Sequence, residues 1–222
     1  MKPLALVLAL AYPFLAHAAA TRHDADLMAV AVAVLAAALL GPALARGRIA
    51  AFVAAAVVAA AIVLARRVDA TAFLLYVPPI ALNVLVGTVF ARTLLPGRTP
   101  LVERMARMLR GEPFDPRIPP YARRVTYAWA VLLYAMALAD LVLACLAVPD
   151  GVFARFGVAP PVAVPQVAWS LFANVLSYAL IAALFVCEIA WRRIQFPTHE
   201  HLSVADFTRR VASIGPSLWR QS

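Results

Sequence analysis

The sequence predicts an all-α fold: a polytopic membrane bundle of about six transmembrane helices with one cytoplasmic amphipathic helix. Three observations carry that expectation. The 222 residues are 64% apolar and only 14% charged, where a soluble domain has roughly 45–50% and about 25%. The apolar residues gather into six stretches of 17 to 28 residues, each long enough for a helix to cross a hydrocarbon core about 30 Å thick. The bases are concentrated in alternate connections between those stretches. With a mean hydropathy of +0.86, too little polar surface remains to coat a soluble globule, which argues against a soluble single-domain enzyme.

The first stretch, residues 3–20, follows Lys2 and is interrupted by Tyr12-Pro13. A lone base, a short apolar region and Ala16-His17-Ala18 also suit a cleavable signal peptide over residues 1–18. The Tyr12-Pro13 interruption and the span that follows almost at once favour retention; cleavage would leave five spans with the same sidedness. The second and third stretches, 27–45 and 49–65, are short and alanine-rich, suited to close helix packing. The fourth, 70–91, contains Pro78-Pro79, which predicts a kink. Thr99-Pro100 then reads as an N-cap with proline in the first turn of a helix over 99–111. Its Leu101, Val102, Met105, Met108 and Leu109 share one face opposite Arg104, Arg107 and Arg110, the pattern of an interfacial helix. Gly111 ends it, and Pro113, Pro116, Pro119 and Pro120 predict a stiff extended connector. The fifth and sixth stretches are 125–148 and 164–191, completing one transmembrane domain over 1–193, and 194–222 is a basic cytoplasmic tail.

The net charge is +9, and Lys2 is the only lysine among 20 bases. With the N-terminus inside, 16 of those bases fall on the cytoplasmic side and four, Arg22, Arg66, Arg67 and Arg155, outside. That partition predicts an even number of spans with both termini cytoplasmic. Arginines that set topology and meet anionic lipid account for the basic balance, so no nucleic-acid partner is expected.

Asp140 lies within the fifth span, about 12 Å from its outer end at 1.5 Å per residue. An acid at that depth costs about 2.5–3.5 kcal/mol on insertion scales and must face the bundle or a wet cavity, or be held neutral. It is either a proton-relay or substrate-pairing acid, or a neutral acid bonded for packing to a neighbour such as Asn83, Asn174, Ser177 or Tyr178; the sequence favours the second. Glu188, four residues before Arg192, reads as a headgroup-level ion pair. His17, His23, His199 and His201 are scattered, and His199-Glu200-His201 lacks a third ligand. Cys145 and Cys187 fall in opposite leaflets and form no disulfide or catalytic pair. The sequence contains no GxSxG, P-loop, GxGxxG or HExxH signature. No catalytic residue, metal or cofactor is therefore assigned, and oligomeric state is left open.

One ordered pattern is more specific. It runs through Leu75-Tyr76-Val77-Pro78 and Asn83, then residues 101–107 (LVERMAR), then 121–129 (YARRVTYAW), and closes with Ser177-Tyr178, Phe185, Glu188 and Arg192-Arg193. Over about residues 70–193 this resembles an uncharacterised family of small polytopic bacterial inner-membrane proteins. Those proteins are encoded beside the ketosynthases, acyl carrier proteins and acyltransferases of aryl-polyene and xanthomonadin-type pigment clusters. In place of a Tyr-Asn-Gly-like run before the last-span tyrosine, this chain has Phe172-Ala173-Asn174. The resemblance implies a setting, acyl or polyene-lipid assembly at the inner membrane, with membrane lipids and the neighbouring carrier protein, ketosynthase or acyltransferase as partners. It implies no mechanism, and the chain itself is no ketosynthase, because neither cysteine lies in an aqueous site.

Two functions follow as expectations. In the first, an accessory protein docks the acyl-assembly enzymes or their acidic carrier through Arg104, Arg107, Arg110, Arg123 and Arg124, unless those arginines serve only anionic lipid. In the second, a small transporter or flippase-like protein exports an acyl or polyene lipid along a path lined by Asp140 and the Pro78-Pro79 break. A membrane-embedded acyl-transfer enzyme ranks last, because no base and nucleophile converge.

Overall fold

A computed structural model describes residues 2–110 and 115–196. The predicted stop at Gly111, Pro113, and the tail with His199, His201, Leu218 and Trp219 lie outside the described residues. Six helices are long and apolar enough to span a membrane, as the apolar stretches predict. They are α1 (Lys2–Arg22), α2 (Ala25–Leu44), α3 (Ile49–Arg67), α4 (Thr71–Arg92), α6 (Ile118–Leu146) and a sixth rod. That rod joins α8 (Gln166–Leu171), a π-helical turn (Phe172–Leu176) and α9 (Ser177–Gln195). Two short helices, α5 (Leu101–Arg110) and α7 (Val152–Arg155), complete the helical elements among the described residues. Strand β1 (Ala147–Val148) pairs in parallel with β2 (Val164–Pro165), Ala147 opposite Val164, which closes the connection before the sixth rod.

Residue types are distributed as lipid demands. Val57, Leu64, Leu85 and Val186 point outward, more than half exposed, while Tyr12, Trp169, Thr126, Asp140, Gln166 and Ser170 are buried. Apolar side chains lose nothing by facing acyl tails, whereas polar ones are tolerable only inside the protein.

Local chemistry explains where the elements depart from the sequence expectations. The fifth span begins at Ile118 rather than residue 125. Pro119 and Pro120 occupy its first turn, where amides lack intrahelical acceptors and a missing N–H costs nothing; the predicted extended connector is therefore helical there. Helix α5 starts at Leu101, and its first amide donates to the Thr93 hydroxyl at 3.0 Å, so Thr99 is not its cap. Helix α4 continues through Pro78 and Pro79, which deprive the Leu74 and Leu75 carbonyls of their usual donors.

The chain groups into two compact units, Met1–Val84 with Tyr134–Leu180, and Leu85–Leu133 with the residues from Ile181. In the first, Ala16, Ala19 and Ala20 of α1 pack with Met28, Ala31, Val32 and Leu35 of α2, and Leu75, Tyr76, Ala144, Trp169 and Ala173 fill the rest. The alanines allow close backbone approach, the main source of packing energy where lipid is as apolar as the core. In the second, the Val102 amide donates to Thr126 Oγ1 at 3.3 Å and Thr126 donates to the Ala122 carbonyl at 2.8 Å, fastening α5 to α6.

Candidate functional site

The first unit contains polar side chains at three depths. Three of its connections, α1–α2, α3–α4 and the stretch between α6 and α8, meet around a cavity of about 220 Å³, here termed the mouth. Its walls include His23, Asp69, Thr71, Asp150 and Arg155. The His23 Nδ1 and Asp150 Oδ2 atoms are 2.9 Å apart, and the Arg155 guanidinium donates to the Val68 carbonyl. His23 (φ 51°) and Asp69 (φ 53°) each adopt left-handed backbone. Both end a helix in a Schellman turn, in which the following amide, Asp24 N or Ala70 N, returns to the Ala19 or Ala65 carbonyl. Glycine is the usual residue there, since a side chain costs on the order of 1 kcal/mol. Here the two side chains at those positions both line the cavity.

About one and a half turns into the helices lies a second layer. The Tyr76 hydroxyl donates to Gln166 Oε1 at 2.9 Å, and its ring stands edge-on to Trp169 with centroids 4.5 Å apart. His17 Nδ1 and Ser170 Oγ share a 3.0 Å hydrogen bond, and Asn174 Nδ2 donates to the Ser170 carbonyl and hydroxyl at 3.1 and 3.2 Å. The π turn carries Asn174, and such turns re-aim the side chains that follow them.

The third layer is near mid-membrane. Tyr12 and Asn83 lie ten and twelve residues inside α1 and α4, about 15 and 18 Å at 1.5 Å per residue. Asn83 Nδ2 donates to Asp140 Oδ2 at 3.4 Å. Asp140 is fully buried, and Tyr12 lies within electrostatic range of it. Five buried atoms have no partner among the described residues: the Tyr12 hydroxyl, Asp140 Oδ1, Gln166 Nε2, Trp169 Nε1 and Ser177 Oγ. All belong to the first unit. Each such group costs about 1–3 kcal/mol if left dry, so a cluster of five needs either a ligand or water to justify it.

The predicted site residues therefore separate. The structure brings Asn83 to Asp140 and Asn174 to Ser170; Tyr178 is half exposed. The arginines belong to the second unit, where two of the five are already engaged. Arg107 is held by Glu103 through Nε at 3.0 Å and Nη2 at 2.8 Å, and Arg123 donates to the Leu94 carbonyl at 2.7 Å. The Arg104 and Arg124 side chains make no hydrogen bond or ion pair among the described residues, and the Arg110 side chain lies outside them. Glu188 pairs with Arg192 at 3.4 Å, as the sequence predicts, and also accepts from the Tyr121 hydroxyl at 3.0 Å. Donation to the Asp115 carboxylate holds the Arg117 guanidinium above its ordinary pKa.

Sequence reasoning missed the mouth and most of the second layer. His17 and His23 read as scattered because their partners, Ser170 and Asp150, are more than a hundred residues away. Gln166 and Trp169 lie at the start of an apolar run and look like core. The legible signal was spacing, since Gln166, Trp169, Ser170, Ala173, Asn174 and Ser177 recur on one helical stripe that is unusually polar. Comparisons with protein-family models, curated proteins and solved structures find no match.

Proposed function

We propose that the protein is a transporter or flippase-like component of the bacterial inner membrane that exports an acyl or polyene lipid, with both termini cytoplasmic. The observation that carries this reading is Asp140, fully buried in a layered polar interior with one oxygen unpartnered among the described residues. An amphiphile crossing a bilayer must take its polar end through about 30 Å of hydrocarbon, and a polar interior lowers that cost. The 16 to 4 partition of bases supports the sidedness. The likeness over residues 70–193 supports the pigment-lipid setting.

A second reading, docking of acyl-assembly enzymes, draws on α5. Its Arg104 has no partner among the described residues, and its Leu101, Met105 and Met108 are half-buried beside the firmly buried Glu103. An acidic carrier protein suits such a surface. Salt-sensitive capture of that carrier by the solubilised chain, lost in Arg104→Glu/Arg124→Glu, would support docking, and no capture would remove it.

Deletion followed by separate extraction of inner and outer leaflet lipid tests the transport reading. The expected result is lipid that is made but retained on the cytoplasmic side. Normal export would end this reading, and absence of the product altogether would replace it with a biosynthetic role.

A further inference from the structure

We propose that a hydrated path runs through the first unit from the mouth to Asp140 and delivers a proton to its unpartnered carboxylate oxygen. The inference rests on the transport reading and deepens it, by assigning the proton as the coupling ion.

The path can be followed residue by residue. The mouth, at about 220 Å³ with walls of both charges, has room for several waters and polar partners to hold them. Thr71, Ala72 and Phe73 of its wall lead along α4 to Tyr76, which is within electrostatic range of Asp150. Beside Tyr76, Gln166 Nε2 and Trp169 Nε1 are buried donors with no partner among the described residues. His17, five residues from the end of its helix, is joined to Ser170 and through it to Asn174. Tyr12 follows one and a half turns deeper on α1, its hydroxyl unpartnered, and Asp140 Oδ1 comes next. Buried water ordinarily satisfies groups like these, with two to four polar partners per molecule. Here the unpartnered atoms occur in both deeper layers.

The donor set at the inner end fits a proton better than a metal ion. A hard cation takes about six oxygen ligands, whereas among the described residues Asp140 is hydrogen-bonded only by the Asn83 amide, with Tyr12 within electrostatic range. Among the described residues no three His, Cys, Asp or Glu side chains converge. One carboxylate oxygen suffices for a proton. The groups that bear on it are Tyr12 from α1 and Asn83 from α4, and among the described residues no basic side chain pairs with it. The step balances simply: a hydronium at the mouth releases one proton, the charge passes along the waters, and Asp140 becomes the neutral acid with one water left behind.

Two measurements on the purified full chain in lipid nanodiscs test this. In a Cys145→Ala/Cys187→Ala background, Ser170→Cys and Ser177→Cys should react with a small water-soluble thiol reagent at least about tenfold faster than lipid-facing Val57→Cys, because lipid excludes the reagent. Infrared difference spectra should show a carboxylic-acid carbonyl band that titrates with bulk pH, disappears in Asp140→Asn and returns shifted in Asp140→Glu. Equal reactivity at the three cysteines, or no titrating band that depends on position 140, overturns the proposal. Neither readout needs a lipid cargo, so failure here leaves the transport reading to the leaflet assay, whereas failure there removes the coupling role and leaves only the hydrated path to these two readouts.

Discussion

In the first unit the Asp140 carboxylate is buried with an oxygen unpartnered, whereas in the second the carboxylates of Glu103 and Glu188 are each tied to the arginine four residues on. The same functional group thus serves opposite ends. Glu103 and Glu188 neutralise arginines and position α5 and α9; the Glu103–Arg107 pair is bidentate through one oxygen. Among the described residues Asp140 pairs with no guanidinium and draws only a 3.4 Å contact from an amide. A polar group that is satisfied locally is structural, while one held unsatisfied at depth, at a cost of about 1–3 kcal/mol, is maintained by what it does.

Variants can break or sharpen this contrast. Trp169→Ala should give the largest effect, because a fully buried indole packed on Tyr76 is removed. It should cost about 3–5 kcal/mol, read as thermal unfolding in detergent against Val57→Ala on the lipid face. Equal losses from the two would mean that the first unit has no packed centre. Thr126→Ala in the second unit breaks the α5–α6 fastening and should cost about 1–2 kcal/mol. It should also speed hydrogen exchange at the Val102 amide, which loses its acceptor, and unchanged exchange would show that α5 is held otherwise. Glu103→Gln should cost about 0.5–1 kcal/mol, discounted for the half-exposed Arg107, and leave lipid export untouched. A loss of export there would carry function into the second unit. Asp69→Gly should be the smallest and of opposite sign, raising stability by about 0.5–1 kcal/mol through relief of the left-handed backbone while impairing export. A destabilised Asp69→Gly would show that the carboxylate is structural.

How much of this was legible in the sequence divides along the same line. The six spans follow from apolar length alone, and Glu188–Arg192 from helical spacing. Asp140 stood out because a charge at depth is expensive, and Asn83 was among its named partners. The mouth was not legible, since His23, Asp69 and Asp150 come from three separate connections, and their meeting depends on how the helices pack. The π turn left no trace in residue type, and Pro119-Pro120 reads equally as an extended connector or a helix start until Ile118 is seen to begin α6.

The most direct test of the central claim, that the polar interior of the first unit is the working part of the molecule, is lipid export by Asp140→Asn cells at matched protein abundance. The isosteric amide keeps the packing and removes the ionisable oxygen, so export should fall to about a tenth of wild type or less with unfolding unchanged. Export at the wild-type level would contradict the account and leave Asp140 as a packing residue.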